Sequence, residues 1–301
     1  MVVFSVLKWF SYIFTGGIVL LFGVRFVMSL ANPSVALNQA TKTCLITGAS
    51  SGIGRCLAIE MVKRGWTVIG VARREEKLKE LEHELGAMTP NPEINFAYSK
   101  TVRPDASTGS AEGRERTIFV PYACDVSMPE RVQTVSQDMK TKGLRPTLFF
   151  LNAGMGDVET PFKPMLAIHQ QTFDTNYFGV VSWVDEWIND VKSLGGGTFV
   201  ATSSVNAIYG DGASYCASKA ALVACFNTLR RQYQPEGIGF VLVLPGPVNT
   251  TMLKVPHPLP FTHEPEADAK YIIEQVFKGK KQIEPSWVYS YAVRLLSWLG
   301  D

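Results

Sequence analysis

The run Thr47-Gly48-Ala49-Ser50-Ser51-Gly52-Ile53-Gly54 constrains this chain more than any other stretch. It lies between the apolar segment Thr43-Cys44-Leu45-Ile46 and the helical pattern beginning Arg55-Cys56-Leu57-Ala58, which predicts a turn from a buried strand into a helix. Glycines in such a turn let the backbone approach a phosphate closely. The first helical turn then offers free N–H groups and a dipole suited to negative charge. A nucleotide cofactor is the guest this arrangement suits. The spacing G-x-x-x-G-x-G differs from the common dinucleotide fingerprint G-x-G-x-x-G, and a tight structural turn is the alternative reading.

Downstream segments repeat the strand-then-helix theme. Trp66 to Ala72 reads as a second buried strand, and it ends in Arg73-Arg74 with no acidic residue. In a dinucleotide fold that tip faces the adenosine ribose, where an arginine pairs with a 2'-phosphate, so NADP(H) is expected over NAD(H) with Arg73 in the cofactor shell. Solvated surface arginines are the alternative. A charged helix with Leu78, Leu81 and Leu85 on one face follows, and residues 86–116 then form a polar insertion rich in Pro, Gly, Ser and Thr, with no chemistry assigned. A strand over 117–124 delivers Asp125, which can accept from an adenine amino group or cap the next helix. The strand 147–151 ends in Asn152-Ala153-Gly154, small enough to admit a flat ring. Units of this length predict an α/β fold with one doubly wound parallel sheet covered by helices on both faces.

Chemistry concentrates after the strand Thr198 to Ala201. Ser203-Ser204 closes it, and eleven residues after Ser204 comes Tyr215-Cys216-Ala217-Ser218-Lys219 at the start of an Ala-rich helix. Tyr215 and Lys219 stand at i and i+4 and leave the same helical face. A cation there favours a phenolate, which suits a general acid and base acting on a hydroxyl. Ser204 at a strand end can hold a carbonyl oxygen on which charge grows. An ordinary exposed helical pair is the plain alternative for Tyr215 and Lys219.

In these motifs the chain resembles the short-chain dehydrogenase/reductases of the large classical type, over roughly residues 41 to 255. The resemblance implies a Rossmann-like fold and hydride transfer between NADP(H) and a carbonyl or alcohol. Tyr215 would then be the proton donor, Ser204 the orienting hydroxyl, and Lys219 the tuner of Tyr215 and holder of the nicotinamide ribose. Asn176 would hold a water linked to Lys219. It further implies a cofactor shell of Gly48, Ser50, Ser51, Gly52, Ile53, Gly54, Arg73, Asp125, Asn152, Ala153, Gly154, Tyr215 and Lys219, completed by Pro245, Gly246, Val248 and Thr250. No metal is expected, since His83, His169, His257 and His263 form no ligand motif. Two departures from the family pattern stand out. The serine usually lies thirteen residues before the tyrosine, where this chain has Thr202; Ser204 is preferred for the Ser-Ser strand end, with Ser203 open. Leu151 replaces the first of two asparagines before Ala-Gly.

The ends differ in kind. Residues 9–31 are apolar except for Arg25, and their 23 residues suffice for a membrane-spanning helix. A single-pass anchor is expected, with a cleaved signal peptide and a hairpin in one leaflet as alternatives. Five scattered cysteines make no disulfide framework, which fits a catalytic body facing the cytoplasm. Residues 32–41 read as a linker, 42–265 as the catalytic domain and 266–301 as a helical extension. A net charge of +2 without a basic, aromatic-interleaved patch excludes nucleic acid as the expected partner. Apolar, proline-marked segments at 155–168 and 252–261, together with the anchor, imply a lipophilic ketone or aldehyde. A catalytically inactive membrane scaffold or a lipid carrier retaining the fold is the alternative function. Trp287, Tyr291, Leu295 and Trp298 share one face of a last helix, which suits a membrane surface, the body itself, or a second subunit in a homodimer.

Overall fold

The computed structural model describes residue 38 and residues 41–88, 118–156, 164–208, 212–253 and 261–299. Its strands are β1 (Thr43–Thr47), β2 (Thr67–Ala72), β3 (Phe119–Ala123), β4 (Leu148–Leu151), β5 (Gly197–Thr202), β6 (Ile238–Val243) and β7 (Gln282–Ile283). They form one parallel sheet in the order β3-β2-β1-β4-β5-β6-β7. The helices are α1 (Gly52–Lys63), α2 (Glu75–Met88), α3 (Pro129–Thr141), α4 (Met165–Phe173), α5 (Gly179–Ser193), α6 (Ala213–Tyr233), α7 (Pro265–Phe277) and α8 (Trp287–Leu299).

Strand alternation divides the core in two. Cys44, Ile46 and Val68 face one side with Leu57 and Met61 of α1, the leucines of α2, and Ile272 and Ile273 of α7. Leu45, Ile69 and Val71 face the other with α3, α5 and α6. A parallel sheet covered on both faces needs such near-continuous apolar strands. On the second face Phe149, Phe199 and Phe240 are register neighbours and stack at 4.6 and 5.4 Å between centroids. Each such pair contributes about 1 kcal/mol beyond simple burial. Trp187 packs on Phe149, and its indole N–H donates to Ser136 Oγ at 3.0 Å. Pro121 sits in β3, an edge strand, where a missing N–H is tolerated.

Several boundaries differ from expectation. α2 runs to Met88, three residues into the segment read as a polar insertion, because Leu78, Leu81 and Leu85 anchor its whole face. Residues 266–283, read from sequence as part of an extension, belong to the central body: α7 packs in the first core layer and β7 joins the sheet beside β6. The expected anchor at 9–31, the linker apart from residues 38 and 41, and the insertion from residue 89 to 116 lie outside the described residues. Among the described residues no helix is long and apolar enough to cross a membrane. All five cysteines are free thiols.

The strand order reverses between β1 and β4, where successive connections leave to opposite sides. A crevice opens at the carboxyl ends of such a pair.

Candidate active site

The β1–α1 turn forms one wall of that crevice. Gly48 has φ +72°, a conformation that favours glycine. A Cβ on Gly54 would lie 2.3 Å from the Gly48 carbonyl oxygen, so a hydrogen is the only side chain that fits there. Gly54 therefore closes the turn from behind, while Gly48, Ser50, Ser51, Gly52 and Ile53 line the cleft. Ser51 is the N-cap residue of α1, yet its hydroxyl makes no cap bond to the helix. Instead Ser51 Oγ accepts from Arg74 Nη2 at 2.7 Å, and Ser50 Oγ accepts from the same nitrogen at 2.9 Å. Arg73 points elsewhere: its guanidinium lies 3.9 Å from an Asp125 carboxylate oxygen and its side chain is 69% exposed. The other Asp125 oxygen accepts from the Ser127 N–H and hydroxyl, at 3.0 and 2.7 Å, which closes the loop before α3.

β4 supplies the floor. Ala153 N donates to Thr47 Oγ1 at 3.0 Å, and Asn152 Oδ1 accepts from Thr202 Oγ1 at 3.2 Å. These bonds tie together the carboxyl ends of β1, β4 and β5. Asn176 stands in a π-helical stretch, Asp174–Phe178, that interrupts the helical run between α4 and α5. π-Helical insertions of this kind are frequent at functional sites. The Asn176 side chain is fully buried; its Oδ1 accepts from Met155 N at 2.8 Å, and its Nδ2 donates to Met155 O and Ser218 Oγ at 3.0 and 3.1 Å. It lies behind the cleft rather than in its lining. A Cβ on Gly154 would meet both Asn176 Oδ1 and Lys219 Nζ at 3.3 Å, so that backbone passes between them.

α6 carries the reactive pair. Lys219 is 3% exposed, and its Nζ donates to Thr202 O at 2.8 Å. Burial pushes its ammonium down to about 8. The same nitrogen lies 5.7 Å from the centroid of the Tyr215 ring. The serines at the end of β5 divide their work. Ser203 Oγ donates to the Lys219 carbonyl at 2.9 Å and is spent on seating α6. Ser204 Oγ accepts from Asn206 N at 3.1 Å, which leaves its own proton to give. Thr202, at the family's usual spacing, uses its hydroxyl on Asn152.

Ser204, Tyr215 and Lys219 border the cleft with Arg73, Asp125, Asn152, Ala153, Gly154, Pro245, Gly246, Val248 and Thr250, around a volume of about 860 Å³. Its lining also includes Met155, Met252, Leu253 and Tyr289. Behind the loop after β6, His263 braces the wall: its backbone accepts from Asn249 N and donates to Pro247 O, and its Nδ1 lies 2.8 Å from Asp268 Oδ1. Burial holds the Asp268 carboxyl above its ordinary value, against the lowering effect of His263. Of the expected site residues, only Gly54 and Asn176 stand back from the cleft surface.

A family model described as short chain dehydrogenase matches residues 42–108 and 95–257. The chain belongs to this family. It is 32% identical over 232 residues to the NADPH-dependent pterin aldehyde reductase of Arabidopsis thaliana, with 75% of this chain and 84% of the relative covered. It is 31% identical over 219 residues to human retinol dehydrogenase 8, covering 70% of this chain and 60% of the relative. Among solved structures it resembles a short-chain dehydrogenase from Sphingobium yanoikuyae in complex with NADPH, with a TM-score of 0.67, 20% identity and coverage of 84% and 93%.

Proposed function

We propose that the chain is an NADP(H)-dependent oxidoreductase that interconverts a lipophilic ketone or aldehyde with its alcohol. The observation that carries this reading is the buried Lys219 ammonium beside the Tyr215 ring at the carboxyl edge of the sheet. The cleft suits the cofactor: a glycine turn lines one end, small residues its floor, and Arg74 is held beside the Ser50 and Ser51 hydroxyls. When bound, NADPH supplies the hydride.

The chain's residues manage the proton and the developing charge. Tyr215 gives its hydroxyl proton to the carbonyl oxygen, and Ser204 donates a hydrogen bond to that same oxygen. The Lys219 ammonium stabilises the phenolate left behind, and it is the group available to hold the nicotinamide ribose. Asn176 acts indirectly, fixing Met155 and the α6 turn at Ser218, which in turn donates to the Tyr215 carbonyl at 2.7 Å. Asp125 retains one oxygen beside Arg73 for the adenine end. The apolar part of the lining, Met155, Met252, Leu253 and Tyr289, favours a lipophilic substrate.

Arg74 carries the cofactor preference. Its nitrogen and two hydroxyls would meet a 2'-phosphate, and charge-assisted bonds of that kind contribute about 1.5–3 kcal/mol. Arg74→Ala should therefore weaken NADPH binding roughly 10- to 100-fold while leaving NADH binding nearly unchanged. Calorimetric titration with both cofactors decides it, and an equal loss for both would assign Arg74 no part in discrimination. The relative named for NADPH dependence is consistent with this choice.

Residues 9–31 would hold the protein to a bilayer as a single-pass anchor, with the catalytic body on the cytoplasmic side. Full-length protein is expected in the membrane pellet after a carbonate wash. Release into the supernatant, or a mature chain beginning near Asn32, would overturn the anchor.

A further inference from the structure

The last helix turns its most apolar residues outward. Trp287, Val288, Tyr291, Leu295 and Trp298 are 70, 41, 65, 45 and 73% exposed, while Ser290 and Val293 on the other side are buried. The helix is locked in this rotation. Arg294 donates from both terminal nitrogens to the two Glu284 oxygens, at 2.7 and 2.6 Å, and Ser290 Oγ donates to the same carboxylate. Its first turn is wedged against the loop after β6, since a Cβ on Gly246 would meet Ser286 at 2.8 Å and Tyr289 at 3.2 Å. Rolling the stripe inward would break the Glu284 pair and empty the Tyr289 side of the cleft.

We propose that α8 lies flat on an anionic bilayer surface, with this stripe in the boundary between headgroups and acyl chains. Tryptophan and tyrosine suit that boundary because each combines a large apolar body with one polar atom. Charge selects the bilayer over a second copy of the chain. From Lys278 to Trp298 the lone carboxylate, Glu284, is paired with Arg294, which leaves the net positive charge on Lys278, Lys280 and Lys281. Across a two-fold interface through α8 this segment would face one of the same composition, with no unpaired carboxylate among its described residues to receive the lysines. An anionic leaflet attracts them instead, each exposed lysine being worth about a fivefold gain in partition. Tyr289 lines the cleft from the same helix, so the active-site mouth would open beside the lipid. This contact extends the bilayer reading of residues 9–31 but depends on other residues.

The test uses the full-length chain carrying Trp9→Phe, in phosphatidylcholine vesicles with and without phosphatidylserine and with brominated acyl chains. Trp66, Trp183 and Trp187 are at most 2% exposed, so collisional quenching reports Trp287 and Trp298. Strong quenching is expected with phosphatidylserine, reduced severalfold without it or at high salt, and absent in Trp287→Phe/Trp298→Phe. Vesicle-bound protein whose fluorescence bromine leaves unchanged would overturn the proposal. So would equal quenching in the double variant. A second copy as occupant would appear as a concentration-dependent dimer in light scattering, abolished by Tyr291→Glu and insensitive to bromine. Failure of the anchor alone would appear as carbonate release with the quenching retained.

Discussion

Tyr215→Phe is expected to lower NADPH-dependent reduction of lipophilic ketones by roughly 10³-fold, within the span that general acid–base groups contribute. NADPH affinity should stay nearly constant, because only the reacting hydroxyl is removed. The fold around it should also persist, since the bond from Ser218 Oγ goes to the Tyr215 backbone carbonyl and survives the substitution. In the same assay Ser204→Ala should cost roughly 10²- to 10³-fold through loss of one donor to the carbonyl oxygen. A panel of steroid, retinoid, sphingoid and acyl ketones, scored by NADPH consumption and product mass, provides the readout. Tyr215→Phe with wild-type turnover would remove the proton donor. Tight NADPH binding with no ketone or alcohol turned over by the wild type would favour a scaffold or lipid carrier.

Much of the site was legible because its groups lie close together along the chain. The alternation of Cys44 and Ile46 against Leu45 is visible in five residues, and it sets the faces of β1. The i, i+4 spacing of Tyr215 and Lys219 likewise needs only one helical turn. Where two adjacent residues compete, pattern has no purchase. Arg73 and Arg74 both follow β2, and only the loop's path turns Arg74 towards Ser50 and Ser51 while Arg73 runs out towards Asp125. Ser203 and Ser204 are separated in the same way, by the Lys219 carbonyl that takes the first hydroxyl. Asn176 was found by its motif, but its bonds to Met155 and Ser218 depend on a π-helical stretch that hydrophobic period does not encode. β7 has two residues, too few for any alternation to register, and without it the position of Tyr289 at the cleft could not be inferred.

Lys219→Met is expected to yield an inactive protein that is more stable to heat than the wild type. Burial of the ammonium lowers Lys219 from 10.5 to about 8, so the unfolded chain binds the extra proton more readily than the folded one between those values. Wild-type stability therefore rises as pH increases from 8 to 10.5, and below pH 8 the full cost of burying the charge is present. At about 1.4 kcal/mol per pH unit that cost is on the order of 3 kcal/mol. Methionine keeps the apolar stem and removes the charge, but it orphans the Thr202 carbonyl, which returns about 1 kcal/mol. The net gain of roughly 2 kcal/mol corresponds to a melting temperature higher by about 5 °C at pH 7 for a domain of this size. Turnover and NADPH affinity should both fall, since the ammonium is assigned to the phenolate and to the ribose. Such an exchange of stability for activity is expected where a site retains a costly group for its chemistry. Calorimetry of the cofactor-free proteins at pH 7 and near pH 10.5 provides the measurement; the advantage of the variant should be lost and slightly reversed at the higher pH, where the charge cost is gone and the orphaned Thr202 carbonyl remains. A variant less stable than the wild type at pH 7 would mean that the Thr202 bond outweighs the buried charge, and Lys219 would then be a structural residue that also serves the site.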